Sequence, residues 1–452
     1  MRIAIIGAGS SGLAALRELD RRGFAVDCFE KGTRVGGNWR YENDSGTSAA
    51  YASLRTNVSR PRMQYPSFPM PASYGDYVGH EDMAAYLEAY VAAFGLARHI
   101  RFSTSVTSVT PADGGRWRVA LRDGAPTTYD VVVVANGHDW DPHWPELPGS
   151  TTARISHARD YRTPDPFAGK RVVVIGAGQS AVEIATEVAR VAAQTIVCCR
   201  QAHYVVPRRF LGRPSDHLDT ALMNRLPWPV VRGAFGLMLW AVNGRPDRWG
   251  LPPPRHRLLE RLPPALSDDF LPAIRSGAIV ARPPIEALAG DQVRFADGSG
   301  ATVDEIVCAT GYRVSFPFLS RVLLEADGRR LGLYRRILPP AHPTLAFIGL
   351  VDPFGGLPPV VEAQSAWLGD VLSGWIRLPD ADRMRAAILR AEPRTRRRLG
   401  GAPTDAIICD RHAYLRSLRR DRRRARSLLQ RWTRRDVVIG RPAWKPATLS
   451  RL

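Results

Sequence analysis

The sequence predicts an α/β fold with two Rossmann-like units, the second inserted into the first. Three observations predict it. The string IAIIGAGSSG fills residues 3–12, and a near copy, VVVIGAGQSA, returns at residues 172–181. Two apolar runs, DVVVVANGH (130–138) and DEIVCATGY (304–312), end alike and read as the two chain crossings between the halves.

The first unit opens with Ile3, Ile5 and Ile6, small β-branched residues that read as a buried parallel strand. Gly7, Gly9 and Gly12 then fit G-x-G-x-x-G, and Leu13, Leu16 and Leu19 recur at helical spacing. The first glycine permits the tight turn, the second lets backbone approach a pyrophosphate, and the third packs helix on strand. Phosphate would sit on the free N–H groups of the helix N-terminus. The next strand, FAVDCFE, ends at Glu30, an acid placed to accept hydrogen bonds from a ribose diol and to repel a 2′-phosphate. This site therefore suits a dinucleotide with a bare ribose, FAD or NAD.

Residues 31–80 are rich in Gly, Ser, Pro and aromatics without periodicity, a long irregular stretch of the kind that carries function. Residues 81–97 read as a helix, and RFSTSVTSVT, GRWRVALRDG and TTYDVVVVANGH as strands. The Pro-rich DPHWPELPG (141–149) marks a passage between domains.

The second unit repeats the plan with Gly176, Gly178 and Ala181 at the turn. Its second strand, TIVCCR, ends in Arg200, at nearly the offset from the first glycine that Glu30 has in the first unit. A guanidinium can bind a 2′-phosphate bidentately, so this site suits NADP, with Arg208 and Arg209 near enough in sequence to share the phosphate. Two different sites on one chain imply electron transfer between two cofactors. An insertion at 207–265, studded with Pro, is expected to shape access to the site, and its Trp228, Trp240 and Trp249 suggest an apolar lining, with core or membrane-surface contacts as the alternatives. After ATGY, the block TLAFIGLVDPFGGLPPVVEAQSAWLGDVL reads as strand, Gly/Pro loop and helix that complete the first domain. The expected limits are 1–150 and 306–452 for the FAD domain and 151–305 for the NADP domain.

The 452 residues carry a formal charge of +20, which admits nucleic acid, an anionic membrane or anionic cofactors as partners. Much of the charge lies in 411–435, where Tyr414, Leu415, Leu418, Ala425, Leu428, Leu429 and Trp432 recur at helical spacing with arginines between them. That is the pattern of an amphipathic helix with a solvated basic face, and no stacking platform or zinc-finger spacing speaks for nucleic acid. Five cysteines (Cys28, Cys198, Cys199, Cys308, Cys409) form no C-x-x-C, so no disulfide framework, redox dithiol or metal site is expected. No apolar leader precedes the first strand, and the longest apolar patch, 233–242, is too short to cross a bilayer. A cytoplasmic protein is expected, with no nucleic-acid partner; a homodimer is left open.

With these motifs in order, the sequence resembles the flavin-containing monooxygenases over roughly residues 1–375. The resemblance rests on the first glycine turn, GGNW (36–39), YASLRTNVSRPRMQYPSFPMP (51–71), ANGH, SHARDY (156–161), the second glycine turn, CATGY and LAFIGLVDPFGGLPPVVEAQ. In the family pattern Phe-x-Gly-x-x-x-His-x-x-x-Tyr/Phe, His157 and Tyr161 match, while Thr151 and Ala153 stand at the Phe and Gly positions. Tyr161-Arg162 differs from the Trp that Baeyer–Villiger relatives carry there.

The resemblance implies a glutathione-reductase-like pair of domains and a reaction cycle. NADPH reduces FAD, the reduced flavin and dioxygen give a C4a-hydroperoxide, and one oxygen passes to a soft nucleophile, amine nitrogen or sulfide sulfur. It implies that FAD is held by Gly7, Gly9, Ser10, Ser11 and Gly12 at the turn, Glu30 and Lys31 at the strand end, Gly37, Asn38 and Trp39 in GGNW, Thr56 and Asn57 in RTN, and Val106, Ala135 and Gln364. It implies NADP contacts from Gly176, Gly178, Gln179, Ser180 and Ala181, from Arg200 and Arg208, and from Ala309, Thr310 and Gly311. Asn57 is the implied catalytic residue, since an amide can donate to a reacting oxygen without changing charge; a loop Asn capping local backbone is the plainer alternative. His157 reads as a polar hinge and Cys308 as core filler. Baeyer–Villiger oxygenation of a ketone, an uncoupled NADPH oxidase or reductase, and a non-catalytic flavoprotein scaffold are the competing readings.

Overall fold

A computed structural model of the chain describes residues 1–218, 228–244, 250–254, 264–320, 323, 331–353, 355–399 and 407–433. Two five-stranded parallel sheets organise it. The first runs in the order Leu345–Phe347, Val131–Val134, Arg2–Ile6, Ala25–Phe29, Ile100–Arg101. The second runs Arg154–His157, Glu305–Cys308, Arg171–Ile175, Gln194–Cys198, Ile279–Arg282.

Both sheets are built alike, and strand alternation explains how. Successive side chains point to opposite faces. Ile3 and Ile5 pack with Val131, Val133 and the helix Ser10–Asp20, while Ala4 and Ile6 pack with Val132, Val134 and Trp117 on the other face. That second face is covered by an antiparallel meander, Val106–Ala112, Arg116–Leu121 and Thr127–Tyr129. In the second sheet, Val172 and Val174 meet the helix Gln179–Val188. Val173, Ile306 and Cys308 meet Leu288, Val293 and Phe295 of another small sheet. Strands apolar on both faces need covers on both faces, and each unit supplies a helix and a meander.

The strand Leu345–Phe347 pairs with Val131–Val134, so the chain returns to the first sheet after the second unit. Two expected limits shift. Gly149–Thr151 pairs with Ile285–Gly290, and Glu305–Cys308 lies inside the second sheet, so the second unit reaches from about residue 149 to 308 rather than 151 to 305. These strands are bonded to the second unit's own ladders, which a motif boundary does not register.

The basic C-terminal helix spans Arg411–Thr433. Tyr414, Leu415 and Leu418 are buried in the first domain's core. Asp421 pairs with Arg335 at 2.7 Å, and Arg422 pairs with Asp370 at 2.5 Å on the helix Pro358–Leu372. The side chains of Leu428, Leu429 and Trp432 lie outside the described residues. Within the 207–265 insertion, the helix Trp228–Asn243 exposes Leu237 and Trp240, and Val205–Val206 pairs with Ala265–Leu266; Trp249 lies outside the described residues. Among the described residues no helix is long and apolar enough to cross a membrane.

Candidate active site

One cavity of about 880 Å³ runs through the structure. Three helix N-termini open onto it: Ser10 and Ser11 from the first glycine turn, Gln179 and Ser180 from the second, and Leu357 before the helix Pro358–Leu372. None of the three has an acidic residue in its first turn or a side-chain cap. Their orphan N–H groups and positive dipole ends therefore face the cavity, which suits phosphate and an anionic ring. This answers the duplication in the sequence: both glycine turns aim at one volume.

The first turn shows why glycine is needed. Gly7 has φ +101°, and a Cβ on Gly12 would lie 1.8 Å from the Gly7 carbonyl oxygen. Glu30 lines the cavity, and its carboxylate accepts from the backbone N–H of Ala8 and of Gly32, each at 2.8 Å. Burial pushes this carboxyl up, and those N–H donors pull it back down. The acid thus organises the turn as well as facing the place a ribose would take. Lys31, Gly37, Asn38, Trp39, Val106 and Ala135 line the same cavity. Trp39 is also packed partly on the core.

Asn57 is exposed and lines the cavity. Among the described residues its amide makes no hydrogen bond to protein, so it is not a loop cap. Its neighbour Thr56 is the opposite: fully buried, its hydroxyl donating to the Val58 carbonyl at 2.8 Å and accepting from the Val78 N–H at 3.0 Å. Thr56 does not line the cavity; it holds the loop that presents Asn57.

Two further expectations change. Gln364 is fully buried, accepting from the Gly349 N–H at 2.9 Å and donating to the Tyr414 hydroxyl at 2.8 Å. It reaches the site only through Gly349, which lines the cavity. Arg208 is paired with Glu183 and donates to the Thr56 carbonyl at 3.3 Å. Both side chains already have protein partners, which a sequence string does not show.

In the second unit, Gly176 (φ +139°) lies against the Ala309 carbonyl and the Ala181 side chain, the counterpart of the Gly7–Ala135–Gly12 contact. Gly176, Gly178, Ala181, Ala309, Thr310 and Gly311 form the turn and crossing but do not line the cavity. Thr310 donates to the His143 carbonyl and Gly311 accepts from the His143 N–H, tying the crossing to the passage at 141–143. Arg200 is exposed beyond the strand Gln194–Cys198, outside the cavity wall. His157 is fully buried beside Trp144 and Tyr312; burial lowers its pKa, so a neutral ring packs at the junction. All five cysteines are buried, Cys308 among them with its thiol pushed up to about 11.

The sequence reading missed Asp352, Arg411 and His412, all on the cavity wall. Burial pushes the Asp352 carboxyl up to about 6, against the opposing pull of His138. Arg411 begins the basic helix, and its guanidinium lies against Gly355. The lone signal for the pair was Asp352 next to the Gly/Pro loop; nothing in the string brought Arg411 to it.

Residues 1–422 match the family FMO-like, flavin-binding monooxygenase-like. The chain is 34% identical over 415 residues to dimethylaniline monooxygenase [N-oxide-forming] 2 of Rattus norvegicus, covering 86% of this chain and 76% of that one. It is 31% identical over 412 residues to flavin-containing monooxygenase 5 of Homo sapiens, covering 86% and 77%. In structure it is similar to S-allyl-L-cysteine S-oxygenase from Allium sativum, with TM-score 0.69, 26% identity, and 96% and 93% of the two chains covered. It shares the fold of cyclohexanone monooxygenase from Rhodococcus sp. Phi1 bound to NADP+, with TM-score 0.70, 20% identity, and 96% and 98% covered. The chain belongs to the flavin-binding monooxygenase-like family, and it is a flavoprotein monooxygenase that uses FAD, NADPH and dioxygen.

Proposed function

We propose that the chain oxygenates a soft nucleophile, an amine nitrogen or a sulfide sulfur of a small molecule, at the part of the cavity that Asn57 faces. The observation that carries the reading is the exposed Asn57 amide, with no hydrogen-bond partner among the described residues, in a cavity reached by the helix N-termini after both glycine turns. FAD, when bound, accepts hydride from NADPH and activates dioxygen.

The residues present fit both cofactors. The first turn offers N–H groups at Ser10 and Ser11, and Gly9 leaves room for backbone to approach a pyrophosphate. Glu30 would accept from the ribose. Leu357 and the helix behind it would face the ring with a positive dipole end. Ser180 and the second turn would take the nicotinamide dinucleotide, and Arg200 its 2′-phosphate. Asn57 would donate to a reacting oxygen, and Val231 and Phe235 from the insertion would help exclude water. The buried thiols support a reducing compartment, the cytoplasm.

The test combines a spectrum with an isotope. Purified protein should carry a flavin absorbance, consume NADPH, and place one atom of labelled dioxygen in the N- or S-oxide of a tertiary amine or thioether. Lactone from a cyclic ketone, with no heteroatom product, would instead establish the Baeyer–Villiger reading.

A further inference from the structure

The interface between the Asn57 loop and the second glycine-turn helix contains a half-buried polar chain that neither cofactor explains. Glu183 lies one turn inside the helix Gln179–Val188. Its carboxylate accepts from the Tyr51 hydroxyl, from the Gln179 amide at 2.9 Å and from the Arg208 guanidinium. The same guanidinium donates to the carbonyl of Thr56, at 3.3 Å, and lies 5.4 Å from the Tyr77 ring centroid. Both backbone ends of Arg208 are fixed as well: its N–H donates to Asp268 at 2.9 Å, and its carbonyl accepts from the Tyr77 hydroxyl. Gln179, at the mouth of the helix, is clamped on the backbone N–H and carbonyl of Leu266 at 2.7 and 2.9 Å.

We propose that Glu183 and Arg208 form a relay that sets the position of Asn57 from the second dinucleotide site, making Arg208 a positioning residue and not a phosphate ligand. The path is short. A dinucleotide at the Gln179 end meets the first turn of a helix whose next turn carries Glu183. Glu183 holds Arg208, and Arg208 holds the carbonyl joined to the Asn57 nitrogen. A planar guanidinium can satisfy two acceptors at fixed angle, whereas an ammonium holds them as a point charge. The Glu183 side chain is only 13% exposed, so stripping this largely desolvated carboxylate of its cation is costly. The proposal rests on the function proposed above.

The full-length, FAD-loaded protein is compared with Arg208→Ala, Arg208→Lys and Glu183→Gln, using methyl phenyl sulfide as the probe substrate. The KM for NADPH and the preference for NADPH over NADH should change less than about threefold, since no phosphate contact is lost. Hydrogen peroxide released per NADPH should rise at least about threefold in Arg208→Ala, with partial recovery in Arg208→Lys. The double variant Arg208→Ala/Glu183→Gln should be no worse than Arg208→Ala, as for residues acting as one unit. A second readout does not depend on turnover. Adding NADP+ should slow amide hydrogen exchange in residues 51–58 of the parent but not of Arg208→Ala.

A rise of about tenfold or more in KM for NADPH alone, with coupling intact, would make Arg208 a phosphate ligand and overturn the proposal. Unchanged coupling and unchanged NADP+ protection in folded variants would overturn it too. If Arg208→Ala does not fold, Arg208→Lys and Glu183→Gln decide the matter by the same measurements. A parent protein that transfers no oxygen would count against the proposed function, while the exchange comparison would still judge the relay.

Discussion

Thr56 and Asn57 are adjacent, and their replacement should damage the protein in opposite ways. Thr56→Val keeps the shape and removes a hydroxyl that serves two backbone groups, the Val58 carbonyl at 2.8 Å and the Val78 N–H at 3.0 Å. Thr56, Val58 and Val78 are all buried, so both groups would be left without water. Each orphaned buried group costs about 1–3 kcal/mol, so the variant should lose about 2–6 kcal/mol of a stability on the order of 5–15 kcal/mol. Asn57→Ala removes a side chain that makes no hydrogen bond among the described residues, so its stability should stay within about 0.5 kcal/mol of the parent. Its cost falls on the reaction. Losing one preorganised donor costs about 2.7–4 kcal/mol at a transition state, roughly 100- to 1,000-fold in the oxygen-transfer rate. The assays are urea unfolding and oxygenated product counted against NADPH consumed. Flavin should remain bound in Asn57→Ala, because the first glycine turn is untouched. A destabilised Asn57→Ala with normal coupling, or a Thr56→Val as stable as the parent, would refute the division of labour.

Arg200→Ala should weaken NADPH by about 1.5–3 kcal/mol and leave NADH nearly unchanged, read from KM for each; equal losses would remove Arg200 from the phosphate site. Leu418→Ala, at a fully buried position in the C-terminal helix, should cost about 2–5 kcal/mol in chemical unfolding, and an unchanged midpoint would mean the helix does not dock. Asp352 has a folded pKa raised to about 6 by burial. The native state therefore holds a proton that the unfolded chain has released between about pH 4 and pH 6, and stability falls as pH rises through that window. Asp352→Asn should flatten this slope, by on the order of 2–3 kcal/mol between its ends, in unfolding curves taken from pH 4 to 7.

Much of the architecture could be read from the string because it is local and periodic. Gly7, Gly9 and Gly12 followed by Leu13, Leu16 and Leu19 leave little besides strand, tight turn and helix. The twin endings ANGH and ATGY mark strands that occupy matching places, Val131–Val134 beside the first strand of one sheet and Glu305–Cys308 beside that of the other. The amphipathic pattern of 411–435 likewise foretold a helix with an apolar face, and Tyr414, Leu415 and Leu418 bury it. Residue type and spacing suffice where the governing interactions lie within a few positions along the chain.

Partnership across the chain is different. Whether Gln364 meets a cofactor or a tyrosine fifty positions away depends on where the C-terminal helix docks. Arg208 could have met a phosphate from a loop near Arg200, but folding placed Glu183 and the carbonyl of buried Thr56 within its reach, with both charged side chains half-buried. Asp352 owes its raised pKa to desolvation, a property of packing alone. Arg411 enters the cavity because Asp370 and Arg335 hold its helix against the first domain. The sequence determined which groups exist and which turns bend; the tertiary structure decided which polar ends are already taken, because a buried group must find its partner among whatever the fold brings within hydrogen-bonding distance.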